Sequence, residues 1–301
     1  MNTVSDCSVC LLKLAKTSAD AVSAPEALRF SAVKAALQVL ARDDFTRIPP
    51  AIARDVLNAV NAALGVSDPF AAIKSEHNRN ALKMVKEWVP DFLAQAKDDK
   101  DRLLRCVRVA LVGNILDLAT VPELSDTSHV KKYLDVEFAV FHWEEFQRVL
   151  LQTAEVFYLC DNAGEIAFDC VLIQELLDRK KKVIVSVKGG PALNDATMTD
   201  ALAVGLDKLS GPFGPVKIIT TGQPNMGIDL KNAPEEWDRL FSGAGMVIAK
   251  GQANLESLHT CGREVFFITL VKCTHVSRYY RVKKGLAMLY QGGIENGMAD
   301  A

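Results

Sequence analysis

The chain has 301 residues, 49% of them hydrophobic and 24% charged, with a net charge of −2. This is the composition of a soluble globular protein with one large domain or two lobes, not of a disordered or fibrous chain. There is no basic block and no interleaving of aromatic with basic residues, which argues against a nucleic-acid partner, and no apolar run reaches membrane-span length.

The N-terminus has a short apolar patch without a charged leader and does not read as a signal peptide. It carries Cys7 and Cys10, two of seven cysteines. An odd cysteine count without secretory features points to a reducing cytoplasm. The Cys-x-x-Cys pair is half a zinc site, a redox pair or two inert thiols. Cys106, Cys261 and Cys273 are the candidates to complete a metal site. The pair lies far in sequence from the strand ends of the second half, which sets it apart from the catalytic ligands.

Residues from about 5 to about 120 read as helices, with apolar residues at three- and four-residue spacing and no alternating β-branched segment. Near the end of this half, Gly113, Asn114 and Asp117 share a helix, with the last two on one face. They either reach a cleft or form a buried Asn–Asp hydrogen bond. The expected division is a helical lobe over 1–125 and an α/β lobe over 126–301.

From about residue 135, short apolar runs alternate with helical patterns. The runs are 155–159, 182–187, 216–221, 245–249 and 264–270. Strand, helix, strand at this spacing predicts a mostly parallel, Rossmann-like sheet with flanking crossover helices. Continuous rather than alternating apolarity predicts strands covered on both faces. The basic run at 179–182 reads as the solvated end of a helix.

Each apolar run gives way to polar residues. The first strand ends in Asp161 and Asn162, the second in Lys188-Gly189-Gly190-Pro191 and then Asn194-Asp195, the fourth in Lys250-Gly251-Gln252-Ala253-Asn254, the fifth in Lys272-Cys273. In a parallel sheet these endings share one edge, where open α/β sheets bind ligands. Asp161, Asn162 and Asp195 offer hard oxygens suited to Mg²⁺ or Mn²⁺. Lys250 and Lys272 offer point charges for an anion. Gly164 and Gly251 allow close backbone approach, and the helices starting near Glu165 and Asn254 present N–H groups to an anion. A metal, an oxyanion and cations on one rim point to phosphate chemistry. Asp and Asn after a strand also serve as turn formers and helix caps, and both readings of Asp161-Asn162 stand on the sequence.

The segments CDNAGEIAFD (160–169), VKGGPALNDAT (187–197), IAKGQANLESL (248–258) and LVKC (270–273), with ALVGNILDLA (110–119) upstream, resemble the domain-of-unknown-function-89 family, the damage-control phosphatases. The Cys7/Cys10 pair is similar to that of its prokaryotic branch. The resemblance implies a helical lobe beside a Rossmann-like lobe. It implies a divalent metal held by Asp161, Asn162 and Asp195, and hydrolysis of a small phosphorylated metabolite. It leaves Co²⁺ and Ni²⁺ open beside Mg²⁺ and Mn²⁺.

The expected catalytic residues are therefore Asp161, Glu165, which orients a water, and Lys250, which offsets phosphate charge together with the N–H groups of 251–254. Asn114, Asp117, Lys188, Gly251, Asn254 and Lys272 are the expected substrate contacts. Asp161 as a covalent nucleophile is the alternative to direct water attack. The small residues at the rim predict no deep apolar slot, hence a polar organic part lying near Asn114 and Asp117. Two rival functions stand beside the phosphatase: a carboxyl methyltransferase using a methyl-donor nucleotide, which needs no metal, and a binding protein that turns nothing over. The sequence contains no HExxH, GxSxG, Walker A or strand-linked GxGxxG pattern, which lowers the zinc-hydrolase, serine-hydrolase, P-loop and dinucleotide classes.

Overall fold

A computed structural model of the chain describes residues 1–115 and 134–294. Asp117 and the expected lobe boundary at 125/126 lie outside the described residues. Three helices open the chain: α1 (Ser5–Ala21), α2 (Glu26–Leu40) and α3 (Pro49–Leu64). They share a core of their own that includes Leu11, Ala15, Ala19, Ala32, Ala36, Ile52, Val56 and Val60. The alanines carry little side chain, so the three axes can lie close. Pro49 and Pro50 open α3, where a missing backbone N–H is harmless.

The next two helices, α4 (Ala71–Ala94) and α5 (Asp99–Ile115), join a different core. Met84, Trp88, Val107 and Leu111 pack with Phe168 and Ile173 against the sheet. The helical half of the sequence is thus divided between two cores.

The rest of the chain runs β1 (Phe138–Phe141), α6 (Trp143–Gln152), β2 (Glu155–Leu159), α7 (Glu165–Asp178), β3 (Lys182–Val187), α8 (Met198–Ala203), β4 (Ser210–Gly211), β5 (Gly214–Pro215), β6 (Lys217–Thr220), α9 (Glu235–Gly243), β7 (Met246–Lys250), α10 (Gln252–Leu258), β8 (Val265–Leu270), α11 (Thr274–Tyr280) and β9 (Ala287–Gly292). Seven strands form one sheet in the order β1-β9-β8-β7-β2-β3-β6. The five from β8 to β6 are parallel. β9 runs antiparallel to β8, and β1 pairs parallel with β9. The Rossmann-like, mostly parallel sheet with flanking helices is as expected, and each expected strand is present within a residue or so. The edge strand β1, its neighbour β9 and the small β4-β5 hairpin were not expected. No described helix is long and apolar enough to cross a membrane.

Strand parity distributes side chains between the two faces. Val156, Tyr158, Val183, Val185, Met246 and Ile248 face α4, α5 and α7. Phe157, Leu159, Ile184, Val247 and Ala249 face the other layer, where Trp237 and Phe241 of α9 cover them. The same count sends Lys250 to the α5/α7 face and Lys188 to the opposite one. From β2 the chain moves outward through β3 and β6, then returns with β7 on the other side of β2. The carboxyl ends of β2 and β7 therefore flank the switch point, the usual place for a ligand crevice.

The contact that brings α5 to the site is close. A Cβ on Gly113 would lie 3.0 Å from the Cα of Glu165 at the start of α7. Gly113→Val is expected to force the two helices apart and to destabilise the fold by about 1–3 kcal/mol, the usual range for overpacking. Urea unfolding should show a lower midpoint with an unchanged slope. A wild-type midpoint would contradict this contact.

Candidate functional site

Asp161 and Asn162 leave the end of β2, and the loop after β3 comes back to meet them. Asn162 and Asp195 form an antiparallel bridge. The Ala196 amide donates to the Asp161 carbonyl and the Ala163 amide to the Asn194 carbonyl, each at 2.8 Å. The three expected metal ligands are thereby brought to one point of the rim. Gly251, at φ 79°, passes so close that a Cβ there would fall 1.8 Å from Asp161 Oδ2. No other residue fits that position.

Beneath the rim lies a buried polar network. Asn114 Nδ2 donates to Asp161 Oδ2 (3.2 Å) and Glu165 Oε2 (3.1 Å). Asn162 Nδ2 donates to the same two oxygens (2.8 and 3.0 Å). Asn114 Oδ1 accepts from the Leu270 amide at 3.0 Å, which fixes the orientation of its amide group. Lys250 Nζ donates to Glu165 Oε1 and Asp169 Oδ1, both at 2.6 Å, and to the Ala110 carbonyl at 2.9 Å. Tyr158 adds a hydroxyl to Asp169 Oδ1 at 2.7 Å.

Several expected rim residues are therefore not at the rim. Lys250 has no exposed surface and points down between α5 and α7, because its place in β7 gives it the same parity as Ile248. It holds carboxylates rather than a substrate. Burial pulls its ammonium down, but Asp169 and Glu165 outweigh this and leave it raised. Glu165 is likewise enclosed, with both oxygens accepting from protein donors. Asn114 stands behind Asp161. Lys188 is buried on the other face, bonded to the Gly227 carbonyl (3.0 Å) and Asn254 Oδ1 (3.1 Å) and 3.5 Å from Asp195 Oδ2. Asn254 is spent on the Cys160 and Lys250 carbonyls. Among the expected substrate contacts, Lys272 lines the open cleft.

That cleft has a volume of about 620 Å³ and opens over Asp161, Asn162 and Asp195. Its other wall comes from α1 and the start of α3, including Cys7, Cys10, Leu11, Leu14, Pro49 and Pro50. The cysteine pair, expected apart from the strand-end ligands, thus lines the same cavity, as does Cys273. All seven cysteines are free thiols. Burial raises the Cys7 thiol, and Glu256 and the neighbouring thiols add to this, so it is no activated thiolate. Cys106 belongs to the sheet core and Cys261 packs beside Phe267's layer. Sequence reasoning missed the α1 wall, because nothing in local spacing says where the first helix docks. It also missed Asp169, although Glu165 and Asp169 are i,i+4 neighbours on α7.

Charge is out of balance at this rim. Asp161, Glu165, Asp169 and Asp195 are all buried, against the buried ammonium groups of Lys250 and Lys188. Asp161 is pushed well above the usual carboxylate range by desolvation, then by Glu165 and Asp195, while Lys272 and Lys188 pull it back. Among the described residues no three His, Cys, Asp or Glu side chains are arranged to hold a metal ion by themselves. A site here needs the side-chain oxygen of Asn162 as a ligand, and the bonds from Nδ2 to Asp161 and Glu165 orient the amide so that Oδ1 is the atom left to ligate a metal. Two carboxylates and an amide oxygen fit a hard divalent cation.

A family model described as the damage-control phosphatase ARMT1-like domain matches residues 3–288. A protein of Archaeoglobus fulgidus named damage-control phosphatase is 31% identical, covering 93% of this chain and 95% of its own. A damage-control phosphatase of Pyrococcus horikoshii is 28% identical over 93% and 94%. The crystal structure of a DUF89 family protein from Pyrococcus horikoshii superposes with a TM-score of 0.83 at 27% identity, covering 97% of this chain and 99% of that one.

The buried lysine makes a prediction distinct from a rim role. Asp169 is raised to about 6, by burial first, with Lys250 lowering it and Glu165 raising it. A carboxyl held above its unfolded value of about 3.9 opposes folding once ionised, so its penalty grows as pH rises from about 4 to 6. Lys250→Met leaves that charge uncompensated. It should destabilise the fold by roughly 3–5 kcal/mol near pH 7.5, and by less near pH 5, where protonation of Asp169 relieves the charge. Urea unfolding at both pH values is the check, and an equal loss at both would contradict the network.

Proposed function

The chain belongs to the damage-control phosphatase ARMT1-like family, and from that premise we propose that it is a metal-dependent phosphatase that releases phosphate from a small phosphomonoester. The observation that carries this reading is the meeting of Asp161, Asn162 and Asp195 at the switch point of the sheet, where buried carboxylates outnumber the lysines set among them. Relatives named damage-control phosphatases from two archaea support the phosphatase class.

The work is divided among the residues of the rim and the network beneath it. Asp161, Asn162 and Asp195 hold Mg²⁺ or Mn²⁺, which when bound supplies Lewis-acid charge to a phosphoryl oxygen and lowers the pKa of a water. Asn114 and Asn162 fix Asp161 by bonds to one carboxylate oxygen. A carboxylate so held suits a ligand better than a free attacker, which favours direct attack by water over a covalent intermediate. Glu165, Asp169 and Lys250 are positioning residues. Lys188 stands 3.5 Å from Asp195 and steadies it. Lys272, on the cleft wall, takes the charge-offsetting role expected of Lys250. The free thiols accord with a reducing, cytoplasmic setting.

Two variants test the assignment. Asp195→Asn should lose metal-dependent phosphate release together with Mn²⁺ affinity. Lys272→Ala should keep Mn²⁺ affinity and lose about 10²–10³-fold in kcat, as when one preorganised donor to a developing oxyanion is removed. Phosphate release by the wild type should stop on chelation and return with Mn²⁺. Release that survives thorough chelation, or a wild-type kcat in Lys272→Ala, would count against the site. Methyl transfer without metal would favour the carboxyl methyltransferase.

A further inference from the structure

The cleft is much larger than a phosphoryl group and its two ends differ in chemistry. One end is the acidic rim with Lys272. The other is a wall on which α1 presents Cys7, Cys10, Leu11 and Leu14 at three- and four-residue spacing, beside Pro49 and Pro50 at the start of α3. Free thiols behave as small apolar groups, so that stripe is apolar along its length. Leu193 and Met226, from the α/β half of the sequence, also line the cleft, Met226 packing against the core of the first three helices.

Leu193 carries a second signal. It stands at φ 50°, a left-handed conformation that a residue with a Cβ seldom adopts and that Asn or Gly takes readily. The loop is held there by the Asp195 amide, which donates to the Ala192 carbonyl, and by the Ala163 amide, which donates to the Asn194 carbonyl. The strained backbone keeps a half-buried leucine at the cleft, two residues before Asp195.

Asp6, Asn194, Thr274, His275 and Lys284 also line the cleft, while Gln252 and Glu256 are turned to one another. Gln252 donates to Glu256 Oε1 at 2.7 Å and to Cys273 Sγ at 3.4 Å, and its oxygen accepts from the Lys272 amide. A sugar ring needs convergent donors and acceptors around its hydroxyls, and the stripe from Cys7 to Leu14 with Pro49, Pro50, Leu193 and Met226 offers no such side chains. The stripe favours an apolar organic part over the polar one expected near Asn114 and Asp117.

Resting on the phosphatase reading of the acidic rim, we propose that the site selects phosphomonoesters whose organic part is apolar, an alkyl or aryl group seated among Leu14, Pro49, Pro50, Leu193 and Met226. The phosphate faces the metal ligands and Lys272, and the apolar part displaces water from the α1 wall.

The test uses the full chain with Mn²⁺ and a series of n-alkyl phosphates from methyl to hexyl, with a hexose phosphate as the polar comparison. kcat/KM should rise about three- to fourfold per added methylene over the early members, the value expected for burying a CH₂ group. Hexyl phosphate should exceed the hexose phosphate by at least about tenfold. Calorimetric binding of the matching n-alkylphosphonates, which are not hydrolysed, should show the same slope. Leu193→Asn, a replacement compatible with the local backbone, and Met226→Gln should each flatten it. A slope in phosphonate binding without turnover would uphold the apolar site and remove the phosphatase reading. Turnover that is flat with chain length, or that favours the hexose phosphate, would overturn the apolar site and leave the phosphatase reading standing.

Discussion

Lys250 carries its ammonium into a place with no exposed surface. An ammonium there is tolerable only with partners at hydrogen-bond distance, and three acceptors meet it: Glu165, Asp169 and the Ala110 carbonyl. Glu165 and Asp169 are one helical turn apart on α7, so a single ammonium can bridge them. The other oxygen of Glu165 then accepts from the Asn114 and Asn162 amides, and both amides also reach Asp161. The position of the rim carboxylate is thus inherited, bond by bond, from a charge buried below it. α5 must lie close to α7 for Asn114 to take part, and Gly113 makes room for that.

This chain of contacts explains what the sequence revealed and what it hid. The five parallel strands were legible because each is a short apolar run bounded by polar turns, and their shared direction put Asp161, Asn162 and Asp195 on one edge. β9 was not legible. Its residues Ala287–Gly292 contain no β-branched side chain, and it is held in place by antiparallel pairing with β8 rather than by its own propensity. β1 has only four residues and lies at the sheet edge. Lys250 and Lys188 end strands, which in the sequence places them at the rim, yet strand parity turns each into a layer. A count of alternation from Ile248 to Lys250 would have found this. The α1 wall had no local signal, because its contact with the rim spans most of the chain.

The division of the helices gives the cleft its two-sided character. α4 and α5 build the floor of the sheet and supply Asn114. α1 to α3 have their own alanine-rich core and lend their outer edge to the cleft. One wall is therefore made of strand ends and backbone, and it is charged and closely hydrogen-bonded. The facing wall is the side of a helical bundle, and there it presents an apolar stripe. The proposed placing of phosphate at one end and hydrocarbon at the other follows which elements supply each wall.

The proposed metal site rests on the meeting of Asp161, Asn162 and Asp195 at the rim. The most direct measurement is anomalous X-ray scattering from crystals of the protein grown with Mn²⁺. A peak is expected in contact with the Asp161 and Asp195 carboxylates and the Asn162 amide oxygen, absent in crystals of Asp195→Asn. Manganese bound only elsewhere, with Asp161 and Asp195 unchanged and unliganded, would contradict the metal site.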